Sequence, residues 1–198
     1  MRHAKGFTLI ELMVTIGIFA LLMLAAVPSF GDWIASARVR SVAEEVANGL
    51  RLAQAEAVRR NRPVAFVMTN STPGLGATPV DGGKNWYVQA LPLSSGGETA
   101  TDADYVQGGN YASQSGVTIS STSSVLCFGS LGNVLGESVS TAQAAVGAAC
   151  SAAAAKTYTI SRTGADRSLE VMVSVGGQVR MCDPTKTRDA THPDGCRS

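Results

Sequence analysis

The sequence predicts an α+β protein: a long N-terminal α-helix, transmembrane in its first half and amphipathic in its second, packed on a globular domain of antiparallel β-sheet. Three observations lead there. Residues Phe7 to Val27 form an apolar run in which Glu11 is the only charged residue. From Asp32 to Arg62 apolar residues recur close to a 3.6-residue period. Beyond Pro63 the composition changes to short β-type runs separated by Gly, Ser, Pro and Asn.

The first element starts behind a short basic leader, with Arg2, His3 and Lys5 before Gly6. The run from Phe7 to Val27 has 21 residues. As a helix it is roughly 30 Å long, enough to span a bilayer core. The positive leader keeps the N-terminus cytoplasmic and sends the remainder outside. An ordinary secretory signal peptide shares the basic start, the apolar core and small residues near Leu24-Ala25-Ala26. Two features oppose it. Helical patterning continues past that cleavage point, and Glu11 sits where a signal peptide needs no acid. A carboxylate in hydrocarbon costs roughly 2.5–3.5 kcal/mol, so Glu11 calls for a partner.

The second half of the helix places Ile34, Val39, Val42, Val46, Leu50, Ala53 and Ala57 on one stripe. That stripe is too rich in alanine for a self-sufficient coiled coil, so it packs on the chain's own domain. Arg40/Glu44 and Glu56/Arg60 are i,i+4 pairs on the polar side, each worth a few tenths of a kcal/mol. Pro63 ends the helix, because it lacks an N–H and restricts Arg62. Pro28 and Gly31 mark a kink near the membrane edge.

Strands are expected at Val64–Thr69, Trp86–Leu91, Val117–Ser120, Val125–Phe128, Thr157–Arg162, Leu169–Val175 and Val179–Cys182. Gly176-Gly177 between the last two is a hairpin signal. Loops are expected at Asn70–Asn85, Ser94–Ser115 and the alanine-rich Val139–Lys156. The roughly 135 residues after Pro63 suffice for one modest core.

Four cysteines fit an oxidising compartment. Three pairings are open, and the sequence-local one, Cys127–Cys150 with Cys182–Cys196, is expected. Each loop would contribute roughly 3 kcal/mol in the chain-entropy account. The rival is a zinc site of Cys182, His192 and Cys196, which offers only three ligands and no CxxC spacing. Asp102 and Asp104 lack the twelve-residue calcium-loop pattern and read as a solvated loop. No Ser/Cys–His–acid order, phosphate loop or HExxH occurs. Neither an enzyme nor a bound cofactor or metal is expected. Charge is uneven. Residues 63–155 hold one Lys against five acids, and residues 156–198 hold seven basic residues against five acids.

Gly6-Phe7-Thr8-Leu9-Ile10-Glu11 after a basic leader resembles the class III signal of type IV pilins and type II secretion pseudopilins. The resemblance implies a type IV pilin-like fold, and it implies that prepilin peptidase cuts between Gly6 and Phe7 and N-methylates Phe7. Glu11 becomes the fifth mature residue, and Pro28 sits where many pilins carry a helix-kinking proline. In a bundle of such helices one subunit's Glu11 meets the charged Phe7 amine of a neighbour, which offsets the burial of either charge alone. The stretch from Gly177 to Pro184, with Gly195-Cys196, resembles the C-terminus of the GspH/FimT branch of minor pilins, and the whole chain, with its Phe128 to Gly132 stretch before a loop, is compatible with that branch. The implied organisation is residues 1–6 as leader, 7–30 as transmembrane and assembly helix, and 31–198 as a periplasmic globular domain that includes the amphipathic helix 32–62.

The implied partners are other pilins in a filament, prepilin peptidase and the bacterial inner membrane, with later residence in a pilus or pseudopilus. The expected function is a minor pilin that helps initiate or cap a type IV pilus. The alternative is an H-type minor pseudopilin of a type II secretion system. An alternative of another class is a DNA-binding minor pilin for DNA uptake, with Arg180, Lys186, Arg188 and Arg197 as contacts. Some uptake members carry a Gly-Arg-x-Arg hairpin, and here Gln178 replaces its first arginine.

Overall fold

The computed structural model describes residues 6–93, 104–111, 116–136 and 145–197, with residues 25–29 and 197 described by backbone only. Leader residues 1–5 and Asp102, together with most of the loop expected at 94–115, lie outside the described residues. So do the side chains of Pro28 and Arg197.

Helix α1 runs Leu9–Arg60 without interruption, 52 residues that carry both halves of the predicted element. It stops three residues before Pro63 because Asn61 takes the left-handed conformation, φ 51°. Asparagine tolerates that region better than other residues with a side chain. The Asn61 and Arg62 N–H groups donate to the Val58 and Ala57 carbonyls, each at 3.3 Å.

Among the described residues ten strands follow: β1 Val64–Thr69, β2 Asn85–Ala90, β3 Tyr105–Asn110, β4 Val117–Ser121, β5 Val125–Phe128, β6 Val134–Leu135, β7 Lys156–Arg162, β8 Leu169–Val173, β9 Val179–Thr187 and β10 Gly195–Arg197. They form two five-stranded sheets, ordered β3-β2-β1-β5-β6 and β10-β9-β8-β7-β4. Neighbouring strands are antiparallel except β9 and β10, which are parallel. The fold is thus a long helix on antiparallel sheet, as the sequence predicts, with the strands divided between two sheets.

The stripe of α1 closes over both sheets at once. Val39, Val42, Ala43, Val46, Ala47, Leu50, Ala53 and Ala57 bury against Phe66, Met68, Trp86, Val88 and Leu126 of the first sheet. The same cluster takes in Tyr158, Ile160, Val171 and Val173 of the second. Ile34, expected on this stripe, is instead 44% exposed, while its neighbour Ala35 is buried, so Ile34 sits at the edge of the covered face. The other face of the first sheet is also covered. Ala65, Val67, Tyr87 and Cys127 pack there with Val146 and Cys150. The alanine-rich segment read as loop is therefore partly a lid on that sheet, tied down by the Cys127–Cys150 disulfide.

Three strands escaped the sequence reading. β3 falls inside the expected loop 94–115. It contains Gly108-Gly109, a composition that argues against a strand. A Cβ at Gly109 would strike Trp86 Nε1 and Glu45 Oε1, and one at Gly108 would strike Pro73, so Gly109 lets this edge strand pass the indole and Gly108 lets it pass Pro73. β6 has only two residues. β10 lies in a tail rich in Pro and Gly, and β9 runs on through Pro184 to pair with it.

Candidate assembly terminus and C-terminal face

Glu11 is held by its own helix. Thr8 is the N-cap, with φ −80° and ψ 153°. Its hydroxyl accepts from the Glu11 N–H at 3.3 Å. The Thr8 N–H and hydroxyl both donate to Glu11 Oε2, at 2.9 and 2.8 Å. This is a capping box, and it anchors the carboxylate at the positive end of the helix dipole. Sequence reasoning missed Thr8, although Thr-x-x-Glu before an apolar run is the known signature.

Around this terminus the side chains are uncovered. Phe7 is 88% exposed, and the large apolar residues from Leu9 to Leu24 are all exposed. A shallow cleft of about 280 Å³ runs along one face, lined by Phe7, Ile10, Glu11, Val14 and Thr15. Among the described residues no helix is long and apolar enough to cross a membrane.

At the far end of α1, Glu56 takes the Arg59 guanidinium at 2.6 Å and the Arg60 guanidinium at 2.7 Å. The Arg59 hydrogen bond above all, against an opposing effect of burial, holds the Glu56 carboxyl down at about 2. Arg40 and Glu44 pair at 2.9 Å, as the i,i+4 spacing predicts. Asp104, read as solvated, is buried, with Arg62 Nη1 at 3.9 Å.

The C-terminal face is organised by the second disulfide. Cys182 is bonded to Cys196, and the described residues contain no free cysteine. Both predicted pairings are therefore formed. Glu170 lies with its carboxylate within 4.8 Å of these two sulfurs, but the sulfurs are bonded to each other and offer no thiolate. His192 is exposed in a turn, where its Nδ1 lies 3.4 Å from Asp189 Oδ1. The trio Cys182, His192 and Cys196 is not assembled as a zinc site.

Two of the four basic residues expected on this face are engaged within the domain. Arg180 Nη2 donates to the Gly195 and Cys196 carbonyls, at 2.9 and 3.2 Å, and so clamps β10. Lys186 Nζ meets Asp194 at 2.7 Å and stands 4.0 Å from Asp183. Arg167 reaches the same buried Asp183 at 3.2 Å. Burial raises the Asp183 carboxyl, but the Thr185 hydroxyl and N–H with the two cations outweigh it and hold the group below the usual range. Arg188 is exposed, and the Arg197 side chain lies outside the described residues. Phosphate binding needs several cations on one face, and two of the four named are engaged within the domain.

The hairpin before Arg180 docks on the helix side of the molecule. Gly177 has φ 86°, and a Cβ there would strike the Gly132 carbonyl. Gln54 of α1 donates to that same carbonyl at 2.8 Å. The Val134 N–H donates to the Val175 carbonyl at 2.9 Å, which stitches the first sheet to the second.

A basic leader, a capped acid at the head of an exposed apolar helix and a small-residue stripe laid on sheet define a pilin-like subunit. The prokaryotic N-terminal methylation motif matches residues 1–27, and the family of the type II transport protein GspH matches residues 42–177. The chain belongs to the GspH family of minor pilins and pseudopilins, and its N-terminal motif marks a membrane-anchored pilin. Fimbrial protein Q of Moraxella bovis is 32% identical over 104 residues, 52% of this chain and 66% of that protein. The type IV major pilin protein PilE1 of Neisseria gonorrhoeae is 35% identical over 96 residues, 48% of this chain and 42% of that protein. The matches thus span less than two thirds of these relatives. The type IV minor pilin FimU of Pseudomonas aeruginosa has the same fold, with a TM-score of 0.52 at 17% identity over 75% of this chain and 90% of FimU. The minor pseudopilin EpsH of the type 2 secretion system of Vibrio cholerae gives a TM-score of 0.46 at 14% identity, over 75% of this chain and 99% of EpsH.

Proposed function

We propose that this chain is a minor pilin of a type IV pilus, a structural subunit that helps to initiate or cap the filament. Prepilin peptidase cuts between Gly6 and Phe7 and methylates the new amine. Residues 7–30 span the inner membrane, and the globular part stands in the periplasm. The observation that carries this reading is the capped carboxylate. Thr8 fixes Glu11 four residues from the future N-terminus, at the head of an uncovered apolar helix. A carboxylate so placed is oriented to receive the Phe7 amine of a neighbouring subunit at one axial stagger. The fimbrial and pilin relatives named above favour the pilus. The family description, a type II transport protein, favours the second reading, an H-type minor pseudopilin.

Deleting the gene separates the two. Loss of surface pili with unchanged protein secretion supports the pilus. Loss of secretion with intact pili supports the pseudopilin and overturns the first reading. Mass spectrometry of the mature chain tests processing, since an N-terminus near Val27 would end the pilin reading altogether. Glu11→Ala should leave membrane insertion intact or improved, because a costly charge is gone, and should impair filament incorporation. Assembly at the wild-type level would refute the pairing.

A further inference from the structure

Two tryptophans occur in the chain, and they have opposite surroundings. Trp86 is 4% exposed and stacks on Phe66 with ring centroids 5.7 Å apart. Trp33 is 70% exposed on α1, with Phe30 at 63% and Ile34 at 44% beside it. Positions 30, 33, 34 and 37 lie on one helical face. Trp33 and Ala37 border a groove of about 520 Å³ that continues to Leu169 and Met181 of the second sheet. The face lies where the domain first meets the helix, since the Asp166 N–H of the β7–β8 turn donates to Ser36 Oγ at 3.0 Å. It lies on the anchor side of that first contact, and among the described residues none covers Phe30 or Trp33.

Length arithmetic says what covers it. If Phe7 to Val27 spans the hydrocarbon core, Phe30 lies about 4.5 Å and Trp33 about 9 Å beyond the core boundary. Side chains of a helix lean toward its N-terminus, which brings the Trp33 ring back toward the bilayer. The headgroup layer is about 5–8 Å thick on each side, and it is where an indole with one polar N–H is at home. The exposed stripe also continues the exposed run Leu9–Leu24 along one unbroken helix.

We propose that Phe30, Trp33 and Ile34 form an interfacial footprint that seats the base of the globular domain in the headgroup layer before the subunit enters a filament. The proposal rests on the membrane-anchored reading of residues 7–30. The footprint fixes the height of the domain above the bilayer and must be released when the subunit is withdrawn.

The test uses the full chain in phosphatidylcholine vesicles, with bromine on the acyl chains either near the headgroup or near the chain end. A Phe19→Trp, Trp33→Phe variant reports the anchor separately, and buried Trp86 is the common background. The expected result is that Trp33 emission falls more with the shallow bromine, and that the Phe19→Trp signal falls more with the deep one. If Phe19→Trp is quenched and Trp33 is not, the anchor stands and the footprint is wrong. Trp33 quenched more by the deep bromine also overturns the footprint. If Phe19→Trp is not quenched, the anchor fails and takes the footprint with it. An unquenched Trp33 whose emission shifts to the blue as protein density rises identifies a neighbouring chain as the cover, and that too overturns the proposal.

Discussion

Replacing Gly49 by alanine should destabilise the domain, although alanine is the better helix former. On propensity the change gains about 1 kcal/mol in a helix interior. The structure sets a larger cost against it. A Cβ at Gly49 would stand 2.9 Å from Phe66 Cε2 and 3.0 Å from Trp86 Cε3 and Cζ3. Carbon atoms pack best at about 3.5–4.0 Å, so two rings must move by about 0.5–1 Å. Neither has room. Phe66 is fully buried and meets Tyr158 edge-on at 6.1 Å, and Trp86 is tied by its Nε1 to Glu45 at 3.3 Å. Overpacking of this kind costs about 1–3 kcal/mol, and contact with two locked rings puts it toward the upper end. The net loss is then about 1–2 kcal/mol, or about 2–8 °C in Tm for a chain of this size. Gly31 is the control, because a Cβ there meets nothing within 4 Å. Gly31→Ala should be neutral or stabilising. Thermal and denaturant unfolding of the full chain in detergent measure both. Phe66→Leu removes the nearest atom, so it should lessen the cost of Gly49→Ala in a double-mutant cycle. A Gly49→Ala protein as stable as wild type would refute the claim that the helix is pressed onto this ring pair.

Acid should weaken the domain through Glu56. Its folded value of about 2 lies below the ordinary value of 4.5, so its contribution is present above about 4.5 and is lost as pH falls toward 2. Glu56→Gln should flatten the unfolding midpoint over that window, and an unchanged pH profile would dismiss the pairing as energetically idle. Replacing Cys127 and Cys150 by serine should cost roughly 3 kcal/mol and make the Tyr87 face reactive to tyrosine modification, whereas the intact protein should titrate no thiol. Arg180→Gln should leave the core unfolding midpoint near wild type but speed amide exchange in β10 and proteolysis around Arg188, because two carbonyls lose their donor. Unaltered exchange there would mean that the Cys182–Cys196 bond holds the tail unaided.

How far the sequence could be read depended on whether a pattern was local. The 3.6-residue stripe from Val39 to Ala57 is legible because it buries one face continuously, and each of those positions is buried. The strand runs with dense β-branched and aromatic residues appear within one or two residues of their expected ends, whereas β9, expected to stop at Cys182, runs on to Thr187. The sequence-local disulfides formed as well. What escaped depends on contacts made across the fold. Gly109 looks like loop until the Trp86 indole is in place, and Gly108 until Pro73 and the Trp86 carbonyl are. β10 is a strand because Cys196 and Arg180 hold it against β9, and no propensity in Gly195–Arg197 announces it. Ile34 fits the periodicity and is still 44% exposed beside the buried Ala35, because a pattern on a helix does not reveal how far around the helix the sheet reaches. The Thr8 cap was legible in principle. A charge in hydrocarbon calls for a distant partner, but the first partner of Glu11 is Thr8, three residues away.

The two halves of α1 divide the work of a filament subunit by side-chain size. Over residues 39–57 the buried positions include Ala43, Ala47, Gly49, Ala53 and Ala57. These small residues bring the helix backbone close to two sheets at once, and a large number of close contacts then holds it there. That half has no apolar face left to give to another subunit. Over residues 9–24 the buried class is absent, and Leu, Ile, Met, Val and Phe project all round. A helix apolar on every side must be buried by something other than its own domain. Lipid and neighbouring helices are both adequate solvents for such a surface, so moving between them costs little in hydrophobic terms. The carboxylate of Glu11 breaks that indifference. It is costly in lipid, and on the pairing proposed above a neighbour's amine would relieve it, so one charge would supply a preference that the other fifteen positions of the segment cannot, with the capping box holding the carboxylate at the helix head.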